Sequence, residues 1–174
     1  MRSLIDSSGI ITHVPDIIIS GGQSGSDIGG LLGARAAGIA TGGYAQKGLR
    51  TEYGQEPSLG SAFGLIASDG GYDVRTRLNV EMADAVVVVA YDMESPGTRL
   101  TLQLARNRPI YNVPFSPQLG GKLEPYMLID DVRHWLRQVR PGILMVAGNR
   151  ESRAKGIQRW TSEFIQRVFS LDTT

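Results

Sequence analysis

Residues 84–92 read DAVVVVAYD, four consecutive valines between alanines with an aspartate at each end. The run is too short for a helix and is rich in β-branched side chains. It predicts a strand buried on both faces, as an interior strand of a parallel sheet is. The flanks agree. Upstream, Arg75 to Ala83 has helical spacing through Leu78 and Met82. Downstream, SPGTRLTLQLARNR (95–108) sets Ser95, Pro96 and Gly97 ahead of Leu100, Leu102 and Leu104, a turn opening into a helix. RPIYNVP (108–114) then reads as a strand closed by Pro114.

The same alternation extends to both ends. Asp16–Ser20 is a short β-branched strand. A helix follows, with Ser26 or Asp27 as N-cap and Ile28, Leu31, Leu32 and Ala36 as its apolar face, ended by Gly38. Ile39–Thr41 reads as a second strand. From Gly42 to Gly71 neither period persists, which predicts a long surface loop with one strand or helical turn near Phe63–Ala67. After a loop over 115–123, Leu128, Val132, Trp135, Leu136 and Val139 are spaced for a helix that Pro141 and Gly142 stop. ILMVAG (143–148) is another strand, and Ile157, Trp160, Phe164 and Val168 face one side of a last helix. Parallel neighbours require a crossover, and that crossover is right-handed. The expected fold is α/β: a single Rossmann-like domain over 15–170, its mostly parallel sheet covered by helices on both faces. Residues 1–14 are expected as a loose N-terminal extension.

Composition narrows the function. The chain has 174 residues, 41% of them apolar and 20% charged, with a net charge of +1. That balance gives no general attraction to nucleic acid or membrane. No cysteine occurs, which excludes disulfides, thiolate metal sites and cysteine nucleophiles. The opening MRSLIDSSGIITHVP is broken by Asp6, Ser7 and Ser8 and lacks a secretory apolar core, and no apolar run is long enough to span a membrane. A cytoplasmic protein is expected. His13 and His134 have no companions at metal spacing, so no metal site is assigned. The tryptophans and methionines read mainly as core.

Four stretches follow predicted strands or open predicted helices: SGGQSGSD (20–27), TGGYAQKGLRTE (41–52), ESPGTRLT (94–101) and VAGNRES (146–152). In a parallel sheet they converge at one end, where ligands bind. In the first, Gly21, Gly22 and Gly25 let bare backbone approach a ligand while the next helix aims N–H groups and its positive dipole end at it, the physics of an anion site. A tight turn with Asp27 as cap is the other reading. The spacing matches neither G-x-G-x-x-G nor a Walker loop. Gly97 and Thr98 repeat the arrangement at a second helix start. Lys47, Arg50, Arg75 and Arg150 lie in or beside these loops and could supply charge-assisted bonds, or be solvated surface charges. Arg75 and Asn79 share a helix face.

Taken in order, GGQSGSD, GGYAQKGLRTEYG, YDVRTRLNVEMADA, GTRLT and VAGNRES resemble the molybdenum-cofactor carrier proteins, a branch of the LOG-like nucleotide-binding Rossmann superfamily. The resemblance runs from about Asp16 to Phe169. It implies a homo-oligomer, a dimer or tetramer, that binds molybdenum cofactor (molybdopterin, a pterin phosphate) or a nucleotide. Carried over by position, the ligand-binding residues are Gly21, Gly22, Gln23, Ser24, Gly25 and Asp27; Lys47 and Arg50; Arg75, Thr76 and Asn79; Gly97 and Thr98; and Gly148, Arg150, Glu151 and Ser152. Ile28, Gln46, Leu49, Tyr53 and Asn149 depart from the family's common residues. Thr101 stands where the phosphoribohydrolase branch has a glutamate.

The function expected is therefore binding or carriage of a phosphorylated small molecule, with no nucleic-acid or membrane partner. Two alternatives stand beside it. A nucleotide-processing enzyme would need Asp27, Glu52 or Glu151 as its acid or base, and a nucleotide-sensing signalling protein would change assembly on binding.

Overall fold

A computed structural model describes residues 2–5, 11–117 and 127–170. The chain runs β1 (Arg2–Ile5), β2 (Ile11–Val14), β3 (Ile17–Ile19), α1 (Ser26–Ala36), β4 (Ala40–Ala45), β5 (Arg50–Thr51), β6 (Gly54–Gln55), α2 (Ser58–Phe63), β7 (Leu65–Ala67), α3 (Tyr72–Met82), β8 (Ala85–Ala90), α4 (Pro96–Leu104), β9 (Ile110–Pro114), α5 (Met127–Val139), β10 (Ile143–Gly148) and α6 (Ile157–Val168). Six strands form one sheet in the order β7-β4-β3-β10-β8-β9, and every pairing within it is parallel. This is a single Rossmann-like α/β domain.

β8 shows why its valines dictate the architecture. Ala85, Val87 and Val89 enter one core with Leu136 of α5 and Trp160 and Phe164 of α6, while Val86, Val88 and Ala90 enter another with Val80 of α3 and Ala105 after α4. All six are buried. Both sheet faces are covered, so a strand that alternated apolar and polar residues would bury unpaired polar groups. A third cluster, Leu31, Ala45, Leu59, Phe63 and Leu65, seals the β7 edge.

α1 packs differently from its apolar pattern. Leu32 is 38% exposed, whereas Gly29, Gly30, Leu31, Gly33 and Ala34 are buried. A Cβ on Gly29 would stand 2.4 Å from the Gln158 carbonyl oxygen, and one on Gly33 2.5 Å from that of Ser162. The glycines therefore form the contact, bringing α1 against the α6 backbone. The N-cap is Gly25, and neither Ser26 nor Asp27 caps the helix. Similarly, α3 buries Arg75, Thr76, Asn79 and Val80, and Met82 is 41% exposed.

Two further stretches differ from expectation. Residues 42–71 form no single long loop: β4 continues to Ala45 and β5 and β6 make a small antiparallel hairpin, while the strand or helical turn expected near Phe63–Ala67 is present as the end of α2 and the edge strand β7. Within 2–14, expected to be loose, β1 and β2 pair antiparallel, and the His13 ring N–H donates to the Pro141 carbonyl at 2.8 Å. α5 covers the sheet as expected, while part of the preceding loop lies outside the described residues. Among the described residues no helix is long and apolar enough to cross a membrane.

Candidate functional site

β10, the last strand in the chain, lies between β3 and β8. From β3 the chain winds outward to β4 and β7, and from β8 it winds the other way to β9, so the strand order reverses around β10. Ligands of such sheets bind beyond the strands' carboxyl ends at that reversal. A crevice of about 380 Å³ opens there, lined by Tyr72 and Asp73 at the start of α3, Ser95–Thr98 at the start of α4, Gly148 at the end of β10 with Asn149 and Arg150 after it, and Arg153 beside them.

The α4 end of the crevice is held by one side chain. Asn149 Oδ1 accepts from the N–H groups of Tyr91 and Asp92 at 2.9 and 2.8 Å. Its Nδ2 lies 2.9 Å from the Asp92 carbonyl, 2.9 Å from Ser95 Oγ and 3.0 Å from Thr98 Oγ1. The loop after β8 is thus tied to β10, and α4 starts from a rigid turn with Pro96 in its first turn. The first N–H groups of a helix have no partners within it and carry the positive end of its dipole. Gly97 and Thr98 bring that end to the crevice wall. A Cβ on Gly97 would stand 2.4 Å from the Tyr72 hydroxyl, so glycine there admits the tyrosine.

Beneath this wall lies a buried ion pair. Arg75 Nη1 donates to Asp27 Oδ2 at 2.8 Å, and the Gln23 N–H donates to the same oxygen at 3.3 Å. Burial pushes the Asp27 carboxyl up, against the opposing pull of Arg75, the Gln23 N–H and Arg150. The Arg75 guanidinium stacks 4.4 Å from the Tyr72 ring centroid, and that of Arg150 stands 5.6 Å from it. Arg75 Nε is buried without a hydrogen-bond partner. Burial also raises the Tyr72 phenol, keeping it neutral.

The first glycine loop is built into this framework more tightly than its sequence implies. Gly25 N–H donates to Gln158 Oε1 at 3.0 Å, and Ser26 N–H to the Asn149 carbonyl at 3.0 Å. Two of the N–H groups expected to face an anion at the start of α1 therefore face protein. The loop glycines likewise make room for side chains and backbone. A Cβ on Gly21 would overlap the Arg75 guanidinium, one on Gly22 would stand 2.6 Å from Leu65 Cδ1, and one on Gly25 2.3 Å from the Asn149 carbonyl oxygen.

The other expected residues divide among three places. Gly97, Thr98, Gly148 and Arg150 line the crevice. Gln23, Ser24 and Ser152 meet at Glu52: its carboxylate accepts from both serine hydroxyls and from the Ser152 N–H at 3.2 Å, and its own N–H donates to Gln23 Oε1 at 2.7 Å. Those bonds, with Arg150 nearby, outweigh burial and lower the Glu52 carboxyl. The remaining residues lie elsewhere. Glu151 accepts from the N–H groups of Gly156 and Gln158 at the start of α6, and the Thr76 hydroxyl donates to the Tyr72 carbonyl. Both ends of the Asn79 amide bond the backbone of Tyr44. Lys47 and Arg50 line a separate groove with Gln46, Gln55 and Asp69.

The sequence by itself names no ligand-binding role for Tyr72, Asp73, Ser95 or Arg153, and marks Asn149 only as a departure. An aromatic residue opening the helix that carries Arg75 was the available signal for Tyr72. Among the described residues, no group of three His, Cys, Asp or Glu side chains is placed to hold a metal.

Comparison with known proteins gives two findings. The model of the circularly permutated YpsA SLOG family matches residues 18–169. The crystal structure of a protein from Syntrophus aciditrophicus SB, named "putative molybdenum carrier protein", superposes with a TM-score of 0.76 at 25% sequence identity, covering 91% of this chain and 96% of that one. No curated protein matches.

Proposed function

Since the chain belongs to the circularly permutated YpsA SLOG family, we propose that it is a binding or carrier protein for a phosphorylated small molecule, the pterin phosphate of molybdenum cofactor or a nucleotide. The observation that carries this reading is the crevice. It joins the N-terminal turn of α4 to the Arg150 guanidinium at the carboxyl ends of β8 and β10. A phosphate there would meet helix N–H groups and a planar charged donor together. Its volume lies within the range of small-molecule sites. The likeness to the Syntrophus protein supports a molybdenum-cofactor ligand, and the SLOG fold supports a nucleotide.

The three carboxylates that an enzyme would need, Asp27, Glu52 and Glu151, are all engaged by the protein, which favours binding over nucleotide processing. Asp27 is paired with buried Arg75, Glu52 is held by Ser24 and Ser152, and Glu151 caps α6. Asp73 is the carboxylate lining the crevice. A nucleotide sensor would use the same crevice, and a change of oligomer mass on binding, read by light scattering, separates it from a carrier. The carrier reading includes a cytoplasmic homo-oligomer.

Calorimetric titration with molybdenum cofactor and a panel of nucleotides tests the proposal. Arg150→Gln should weaken binding about 10- to 100-fold, the loss of one hydrogen bond to a charged group. A folded protein that binds no phosphorylated ligand sinks the reading.

A further inference from the structure

β5 and β6 have two residues each and form a sheet of their own, unjoined to the main one. The tip of this hairpin is docked through Glu52. Its carboxylate accepts from the Ser24 hydroxyl, the Ser152 hydroxyl and the Ser152 N–H, donors supplied by the loops after β3 and after β10. Ser24 is buried, and Tyr53, next to Glu52, is 72% exposed. The hairpin tip thus meets the protein through its polar side.

Two hydroxyls and an N–H converging on two anionic oxygens form the donor set that a phosphate-type oxyanion takes. The carboxylate supplies the same charge and acceptors from within the chain. Arg150 also lines the crevice beside α4, and Ser152 follows it by two residues, so the two places adjoin.

We propose that Ser24 and Ser152 form a second oxyanion subsite, filled by the chain's own Glu52, and that a ligand with two linked anionic groups displaces Glu52 and releases the hairpin. This rests on the reading of the crevice as a phosphate site. The ligand class it selects is the diphosphates, with one phosphoryl group at α4 and the other at Ser24–Ser152. A hairpin held by a few bonds opens at low cost, and its release unpairs the strand at the exposed Arg50, so that the bond after it can enter a protease.

The test uses inorganic pyrophosphate and inorganic phosphate with the full chain. Calorimetry should show pyrophosphate binding Glu52→Ala about tenfold tighter than the parent, as for a subsite open about one time in ten. Phosphate affinity at the α4 turn should be unchanged, a single phosphate gaining at most a second, weaker site at Ser24–Ser152, and Ser152→Ala should lose the preference for pyrophosphate. Independently of any variant, pyrophosphate should speed tryptic cleavage after Arg50 in the unaltered protein, and phosphate should not. Equal binding of the two anions with unchanged cleavage would make Glu52 a structural latch only and overturn the subsite while leaving the crevice reading intact. Failure of both anions to bind also overturns the subsite; the crevice reading is judged separately by the cofactor and nucleotide titration.

Discussion

Arg75 and Asp27 form a buried ion pair at 2.8 Å between α3 and α1, directly under the crevice wall made by Tyr72. The pair joins two motifs that lie 48 residues apart in the chain. Removing one partner leaves the other charge buried and unpaired. Asp27→Asn should therefore destabilise the fold by about 3–5 kcal/mol, measured by urea denaturation. The double variant Asp27→Asn with Arg75→Met should recover part of that loss. A single variant as stable as the parent would show that the pair carries no such penalty.

Gly25 tests the first loop. It has φ 99°, and a Cβ would stand 2.3 Å from the Asn149 carbonyl oxygen and 2.6 Å from the Glu151 nitrogen. Gly25→Ala should cost at least about 1–3 kcal/mol from backbone strain alone, seen as a lower thermal midpoint. A bulkier replacement at Gly25 would likewise report folding and not ligand affinity.

Asn149 fastens the α4 turn to β10. Asn149→Ala leaves the buried hydroxyls of Ser95 and Thr98 and the N–H groups of Tyr91 and Asp92 without this partner. We expect a destabilisation of about 1–3 kcal/mol. Phosphate-ligand affinity should fall further than stability explains, because the helix N-terminus would no longer be held in place. Unchanged affinity in the folded variant would separate Asn149 from the site.

Glu52 gives the hairpin a pH dependence. Its folded carboxyl lies below the ordinary value of 4.5. The docking it supplies is therefore fully present above 4.5 and is lost as pH falls through the lower, folded value. Tryptic sensitivity after Arg50 cannot be followed at such acidity. Hydrogen exchange of residues 50–55 can, and it should rise in that window in the parent and be pH-independent there in Glu52→Ala, after correction for the intrinsic rate.

The strands at β3, β8 and β10 and the last helix were legible because burial wrote itself into side-chain type: Val86 to Val89, Leu144 to Val146, and Trp160 with Phe164. The stretch 42–71 was not. Two-residue strands such as Arg50–Thr51 show no period, and of the elements there only the strand or turn near Phe63–Ala67 left a local signal. The pairing of β1 with β2 was likewise invisible, because a strand is made by its partner. The face of α1 was misread for another reason. A search for apolar side chains passes over Gly29 and Gly33, whose contribution is the absence of one.

The alternation of elements, the parallel sheet and the gathering of polar loops at its carboxyl end follow from local pattern and chain connectivity, and the sequence alone determined them. Which loop faces a ligand was decided only in three dimensions. The N–H groups at the start of α1 are taken by the Asn149 carbonyl and Gln158, residues more than a hundred positions away. At α4 the turn is held open to the crevice by Asn149 from behind. Both loops carry the same kind of glycine-bearing, helix-opening sequence. What separates them is that a backbone donor binds whichever acceptor the fold brings within reach, and that acceptor's identity is a property of packing.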